Sequence, residues 1–190
     1  MLTEDGAASL SLSLRAVARR AGVSQTAPYR HFAGKEALVA AVAAEGFGRL
    51  ARTMNAAALR ASPGDATARI RALGVGYVRF ALARPALLRL MFGPPLIRRA
   101  DYPALDAAAK EAYAMIATAI AERLSAPLHG AEAGAATIAA WALVHGLSQL
   151  LIDGQIAPEL CGGLARQALI ERVAGDFARS LARPNARESR

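Results

Sequence analysis

Arg15, Arg19, Arg20, Arg30 and Lys35 lie within residues 13–35, and no Asp or Glu stands among them. Five positive charges on one short stretch suit a polyanion, because clustered cations displace the counterions condensed on a phosphate backbone. The whole chain is basic as well, with net charge +8 from 23 Lys and Arg against 15 Asp and Glu. Arg and Ala richness can follow from a GC-rich genome alone, so the local absence of acids is the stronger signal.

Other chemistries find little to work with. The histidines are His31, His129 and His145 and the only cysteine is Cys161, with no cluster at metal-ligand spacing. His145 and Ser148 share one stretch, yet no partner is placed to orient the histidine as a hydrolytic triad requires. Glycine-rich phosphate loops are absent. The sequence therefore predicts no catalytic residue, no metal site and no cofactor. A lone cysteine cannot close an internal disulfide, which fits a reducing compartment, and Glu4 and Asp5 stand where a signal peptide needs a basic start; a cytoplasmic location is expected.

The elements that must position these residues read as helices. In 190 residues, 54% are apolar but only 5% aromatic, so the core must be built from Ala, Leu, Val and Ile. Ala and Leu favour helices and no long run alternates apolar with polar, so the expected fold class is all-α. Punctuation by Pro, Gly and Ser predicts helices over 14–21, a short one from Ser24 to near Phe32, then 35–60, 65–84, a short helix from Pro85 to "FGPP", 102–124, 131–153 and 160–181. The expected division is residues 1–45 for one domain, 46–183 for a second, and 184–190 for a disordered polar tail.

Residues 12–32, "LSLRAVARRAGVSQTAPYRHF", carry the parts of a helix-turn-helix. Leu14, Val17, Ala18 and Ala21 have core spacing, Gly22 supplies the sharp turn, and Val23 can plug the corner. Pro28 has two readings. With Ser24 as N-cap it removes only the first helical hydrogen bond; because it disfavours the α conformation at Ala27, the start can instead slip to Thr26. A helical corner with a solvated basic face would present the same residues.

The longer string "SLRAVARRAGVSQTAPYRHFAGKEALVAAV", residues 13–42, closely resembles the DNA-binding segment of TetR-family transcriptional regulators, with its "AGVS" turn, its "YxHF" and the "KExL" that opens the next helix. "WALVHGLSQLLIDG", 141–154, and "RPALLRLMFGP", 84–94, are similar to the subgroup named for Trp-His-Gly, here Trp141, His145 and Gly146. The resemblance implies a three-helix DNA-binding unit and a helical C-terminal domain that binds a small effector and forms a homodimer. It places Gln25, Thr26, Ala27 and Arg30 near base edges, and Tyr29, His31 and Lys35 on phosphates, with Ser24 and Arg15 beside them. These residue types suit the roles: Gln pairs with adenine, Arg with guanine, and a methyl group meets thymine. His31 would equally serve as a satisfied corner residue.

Only "MLTEDG" stands where the family's first helix would be, so helix 1 is expected to be truncated and Leu10, Leu14, Val17 and Phe32 poorly covered. Two functions follow. One is a repressor that leaves a pseudo-palindromic double-stranded DNA operator when a small apolar effector binds. The other is a small-molecule-binding helical dimer whose DNA-binding domain is incomplete and inactive.

In the C-terminal part, Trp141, His145, Gln149 and Asp153 recur every four residues, a semi-polar stripe on a helix otherwise apolar enough to be buried nearly all round. Residues 135–152 approach the length of a membrane span, but His145, Ser148 and Gln149 interrupt them, so no membrane partner is expected. Trp141, His145 and Gln149 are candidate polar groups of an effector pocket, with Tyr77, Met91, Phe92 and Tyr113 as walls. The same residues would also serve as locally satisfied core. On the last helix Ile170, Val173, Phe177 and Leu181 form an apolar face that fits either a second copy or the chain's own core.

Overall fold

The computed structural model describes residues 14–62, 64–92 and 98–181; the "MLTEDG" stretch with the expected truncated helix 1, Leu10 and the 184–190 tail fall outside them. Among the described residues there are seven α-helices and no strand, as the composition predicts: α1 Leu14–Arg20, α2 Lys35–Ala58, α3 Ala66–Ala83, α4 Pro85–Phe92, α5 Pro103–Leu124, α6 Ala131–Ile152 and α7 Arg166–Ser180. Local chemistry explains most starts. Asp65 caps α3 by accepting the Ala68 amide at 2.8 Å, and Pro85 and Pro103 open α4 and α5, where the missing N–H is no loss.

The core centres on α3, which packs on α2, α5, α6 and α7. Residues 73–78 of α3 are all buried, and two glycines make that possible. A Cβ at Gly76 would stand 2.9 Å from the Met54 Cα, and one at Gly74 would stand 3.3 Å from Val144 and 3.4 Å from Ala174. At Gly76 α2 therefore crosses α3 nearly backbone to backbone, and at Gly74 side chains of α6 and α7 close directly on the α3 backbone. The 45/46 boundary falls inside α2, an uninterrupted helix about 36 Å long that runs from the N-terminal elements into the core.

Two expectations need correction. The helix expected over 160–181 is broken: a 3₁₀ turn, Pro158–Cys161, precedes Gly162 and Gly163, both at positive φ, and α7 starts only at Arg166. Two successive residues at positive φ cannot continue an α-helix. Helix α6 is not buried all round. Thr137, Ala140, Leu147 and Ser148 face inward, while Ile138 is 52% exposed and Leu150 48%, with Ala135, Ala139 and Ala142 also exposed. It is also the one helix among the described residues with the length and hydropathy to cross a membrane. Its inward Thr137 and Ser148 hydroxyls are satisfied by the carbonyls four residues back, both at 2.6 Å. The apolar face of α7 is turned into its own protomer. Ile170 is buried against Val75, Val78 and Leu147 with Val173 half-buried beside it, while Phe177 and Leu181, also half-buried, pack on the larger core cluster.

Candidate DNA-binding surface and effector cavity

The N-terminal elements turn at Gly22, whose φ of +69° is the left-handed conformation that glycine adopts without strain. α1 anchors itself through buried Leu14 and Ala18, so Leu14 is covered after all, while Val17 and Phe32 are half-buried. Val23 does not plug the corner: its N–H bonds to the Ala18 carbonyl at 3.0 Å, but the side chain is exposed. The segment beyond is a single 3₁₀ turn, Ala27–Arg30, with Thr26 at the N-cap and Pro28 in its first turn. Of the two readings of Pro28, the later start holds. Thr26 makes no side-chain cap bond; its hydroxyl instead lies 3.2 Å from that of Ser24.

Gln25 and Thr26 thus precede the turn, while Ala27 and Arg30 lie on it. Ser24, Gln25, Thr26, Tyr29, Arg30 and His31 are all exposed, Ala27 and Lys35 are half-buried, and Arg15 is exposed on α1. The structure therefore brings these residues onto one short, accessible stretch around the 3₁₀ turn. None of the ion pairs among the described residues involves Arg15, Arg19, Arg20 or Arg30. Their charge is left for an external anion.

The second candidate site is a cavity of about 280 Å³ between α2, α3, α5, α6 and α7. Of the expected walls, Tyr77, Phe92, Tyr113 and Trp141 line it. Met91 does not; it is buried under Gly46, where a Cβ would stand 2.6 Å from its Sδ. Gln149 is also not among the lining residues, and Asp153, at the end of the same stripe, pairs with Arg89 at 2.7 Å. Sequence reasoning missed Phe47, Leu50 and Met54 of α2, Phe177 of α7, and the two cations Arg99 and Lys110.

His145 stands one layer behind the cavity wall, its Nδ1 2.8 Å from the Tyr77 hydroxyl. Trp141 is hydrogen-bonded to the same hydroxyl. An indole N–H can only donate, so the Tyr77 oxygen accepts from Trp141 and keeps its O–H available to donate to Nδ1 of a neutral His145. Burial pushes the Tyr77 phenol well above its ordinary range and pushes the imidazole of His145 down, so both are neutral near pH 7. Phe92 closes the cluster, with its ring centroid 4.9 Å from His145, 5.3 Å from Phe47 and 5.8 Å from Trp141.

A lowered histidine pKa has a defined consequence for stability. The unfolded chain takes up the proton first, near pH 6.5, while the folded chain resists it and would have to reverse the Tyr77 bond. The contribution is fully present above about pH 6.5 and is lost as pH falls below it. His145→Gln keeps an acceptor for Tyr77 and cannot titrate. Melting temperatures from pH 8 to 5 should therefore fall more steeply for the wild type than for this variant; parallel curves would count against the buried neutral imidazole.

Comparison with known proteins gives a family match for each half of the chain. Residues 6–42 match the family model "Bacterial regulatory proteins, tetR family", and residues 70–177 match "Tetracyclin repressor-like, C-terminal domain". Among solved structures, a protein of unknown function from Rhodococcus sp. RHA1 is 31% identical, with a TM-score of 0.74 over 94% of this chain and 89% of its own. The TetR family transcriptional regulator PfmR from Thermus thermophilus shares the fold at 16% identity, with a TM-score of 0.64 over 91% of each chain. Among curated proteins none matches. With an exposed, uncompensated basic helix-turn-helix at one end of α2, an apolar cavity along the other, and a family model spanning more than half of its length, this chain belongs to the TetR family of transcriptional regulators.

Proposed function

We propose that the protein is a homodimeric repressor that occupies a pseudo-palindromic operator and leaves it when a small, largely apolar effector fills the cavity. The observation that carries this reading is the course of α2. Its first residue, Lys35, follows the basic turn by five residues, and Phe47, Leu50 and Met54 on the same helix line the cavity. An effector that binds better when α2 is displaced shifts the population toward a geometry in which the two basic turns no longer fit successive major grooves.

In this reading residues 1–45 are the DNA-binding unit and 46–183 the effector and dimerisation unit, joined through α2, and the protein works in the cytoplasm without cofactor, metal or catalytic step. Gln25, Thr26, Ala27 and Arg30 read base edges, and Tyr29, His31 and Lys35, with Ser24 and Arg15, hold phosphates. The second copy covers the outward face of α6, where Ile138 and Leu150 flank small residues and a Cβ at Gly146 would meet nothing within 4 Å. Such a stripe lets two helices approach closely, and it accounts for the apolar length of α6 without a membrane. The Trp-His-Gly subgroup gains a rationale too: Trp141 and His145 hold Tyr77 at the cavity wall, and Gly146 leaves room for the partner helix.

Two substitutions test the division of labour. Arg30→Ala is expected to lower operator binding about ten- to a hundredfold while changing affinity for random DNA little. Lys35→Ala should weaken both alike and flatten the salt dependence. Gel shifts at several salt concentrations separate the two. Equal losses on operator and random DNA for Arg30→Ala would remove it from the base-reading set.

A further inference from the structure

The cavity is apolar except at its solvent end. Among its lining residues the charged ones are Arg99 and Lys110, and no Asp or Glu is present. Lys110 is already engaged by Asp106 at 2.6 Å, and Asp101, the carboxylate closest to Arg99 in the chain, is held by two bonds from Arg98, at 3.0 and 3.1 Å. None of the ion pairs among the described residues involves Arg99. Its guanidinium lies over the Phe47 ring, 5.9 Å from the centroid, which holds the group beside the cavity wall. The inner end offers no charge: the Tyr77 hydroxyl is committed to Trp141 and His145, and the aromatic rings of Phe47, Phe92 and Phe177 line the space.

Resting on the effector-cavity reading, we infer that the effector is an amphipathic monocarboxylate, its carboxylate forked by Arg99 and its apolar, ring-bearing body directed toward Trp141. A guanidinium presents two parallel N–H donors that match a carboxylate, and here it is a single uncompensated cation. A dianion such as a phosphate monoester would require a second free cation, and Lys110 is neutralised by Asp106. An aromatic body suits walls of aromatic rings, which favour edge-on and offset ring contacts. The volume, about 280 Å³, is roughly twice the ~150 Å³ cavity that holds benzene, so a phenyl ring with a short alkyl arm fills it.

Trp141 is the only tryptophan in the chain and lines the cavity, so its fluorescence reports occupancy directly. The full chain is titrated at pH 7.5 with 4-phenylbutyrate and with 4-phenylbutan-1-ol, which differ only in the head group. The acid is expected to bind about ten- to a hundredfold more tightly than the alcohol, the range for a charge-assisted hydrogen-bonded pair. Arg99→Gln should abolish that preference and leave the alcohol unchanged, and Arg99→Lys should keep only part of it. An alcohol that binds as tightly as the acid, or an Arg99→Gln variant that weakens both alike, overturns the carboxylate assignment and leaves the cavity reading standing. If neither compound produces a saturable change, both readings fail together.

Discussion

Replacing Arg15, Arg19 and Arg20 together with glutamine is expected to reduce DNA affinity by at least about a hundredfold at 0.1 M salt, with folding left intact. The three side chains are exposed and take part in no ion pair among the described residues, so their loss removes external contacts and no internal ones. Each phosphate contact contributes about 0.9 to the slope of log affinity against log salt. Three contacts from each half of a dimer would then lower that slope by about five. Surface changes of this kind shift stability by about 0.5 kcal/mol or less, so the melting curve should barely move. Binding measured between 50 and 300 mM salt checks both parts. An unchanged slope would mean that this basic stretch does not meet the phosphate backbone.

The second large effect is expected on α6. Ile138→Glu combined with Leu150→Glu sets two carboxylates on its exposed apolar face, and in a paired assembly four like charges would meet across one interface. The protein should become monomeric at micromolar concentration. Its operator affinity should drop about a hundredfold or more, because the second half-site no longer benefits from being linked to the first. Both side chains are exposed in the protomer, so its fold should persist. Phe177→Ala provides the contrast. That ring packs on the protomer's own core and lines the cavity, so its loss should lower the melting temperature and alter the Trp141 signal without dissociating the dimer. Light scattering distinguishes the two variants; a dimeric Ile138→Glu/Leu150→Glu protein would place the interface elsewhere.

What could be read in the chain before its structure depended on how local the cause was. Asp65, Pro85 and Pro103 mark helix starts through their own backbone chemistry, and Gly22 marks a turn, so these features were legible. The 3₁₀ character of Ala27–Arg30 was half legible: Pro28 signalled an awkward start, but nothing in the residue types says that the turn ends after four residues. Gly162 and Gly163 were visible as a pair, yet the apolar spacing beyond them drew the expected helix across the break.

Faces were harder to assign than helices. Ile170, Val173, Phe177 and Leu181 show only that α7 has an apolar side, and α3 with its two glycines claims that side within the protomer. On α6, apolar residues all round suggested complete burial, whereas part of that surface is left open. The cavity was legible in part because four of its walls are large aromatic residues. Arg99 and Lys110 were not, since their place at its mouth depends on how the segment before α5 and α5 itself settle against α2.

Recognition of particular DNA by this chain is tested most directly by selecting fragments from the genome that encodes it. Purified full-length protein is mixed with sheared genomic DNA at physiological salt, and the bound fragments are sequenced. A few fragments should be enriched that share one short pseudo-palindrome with half-sites about one helical turn apart, and the enrichment should be lost when Arg30 is replaced by alanine. Recovery of fragments in proportion to their abundance, with no shared sequence, would contradict it.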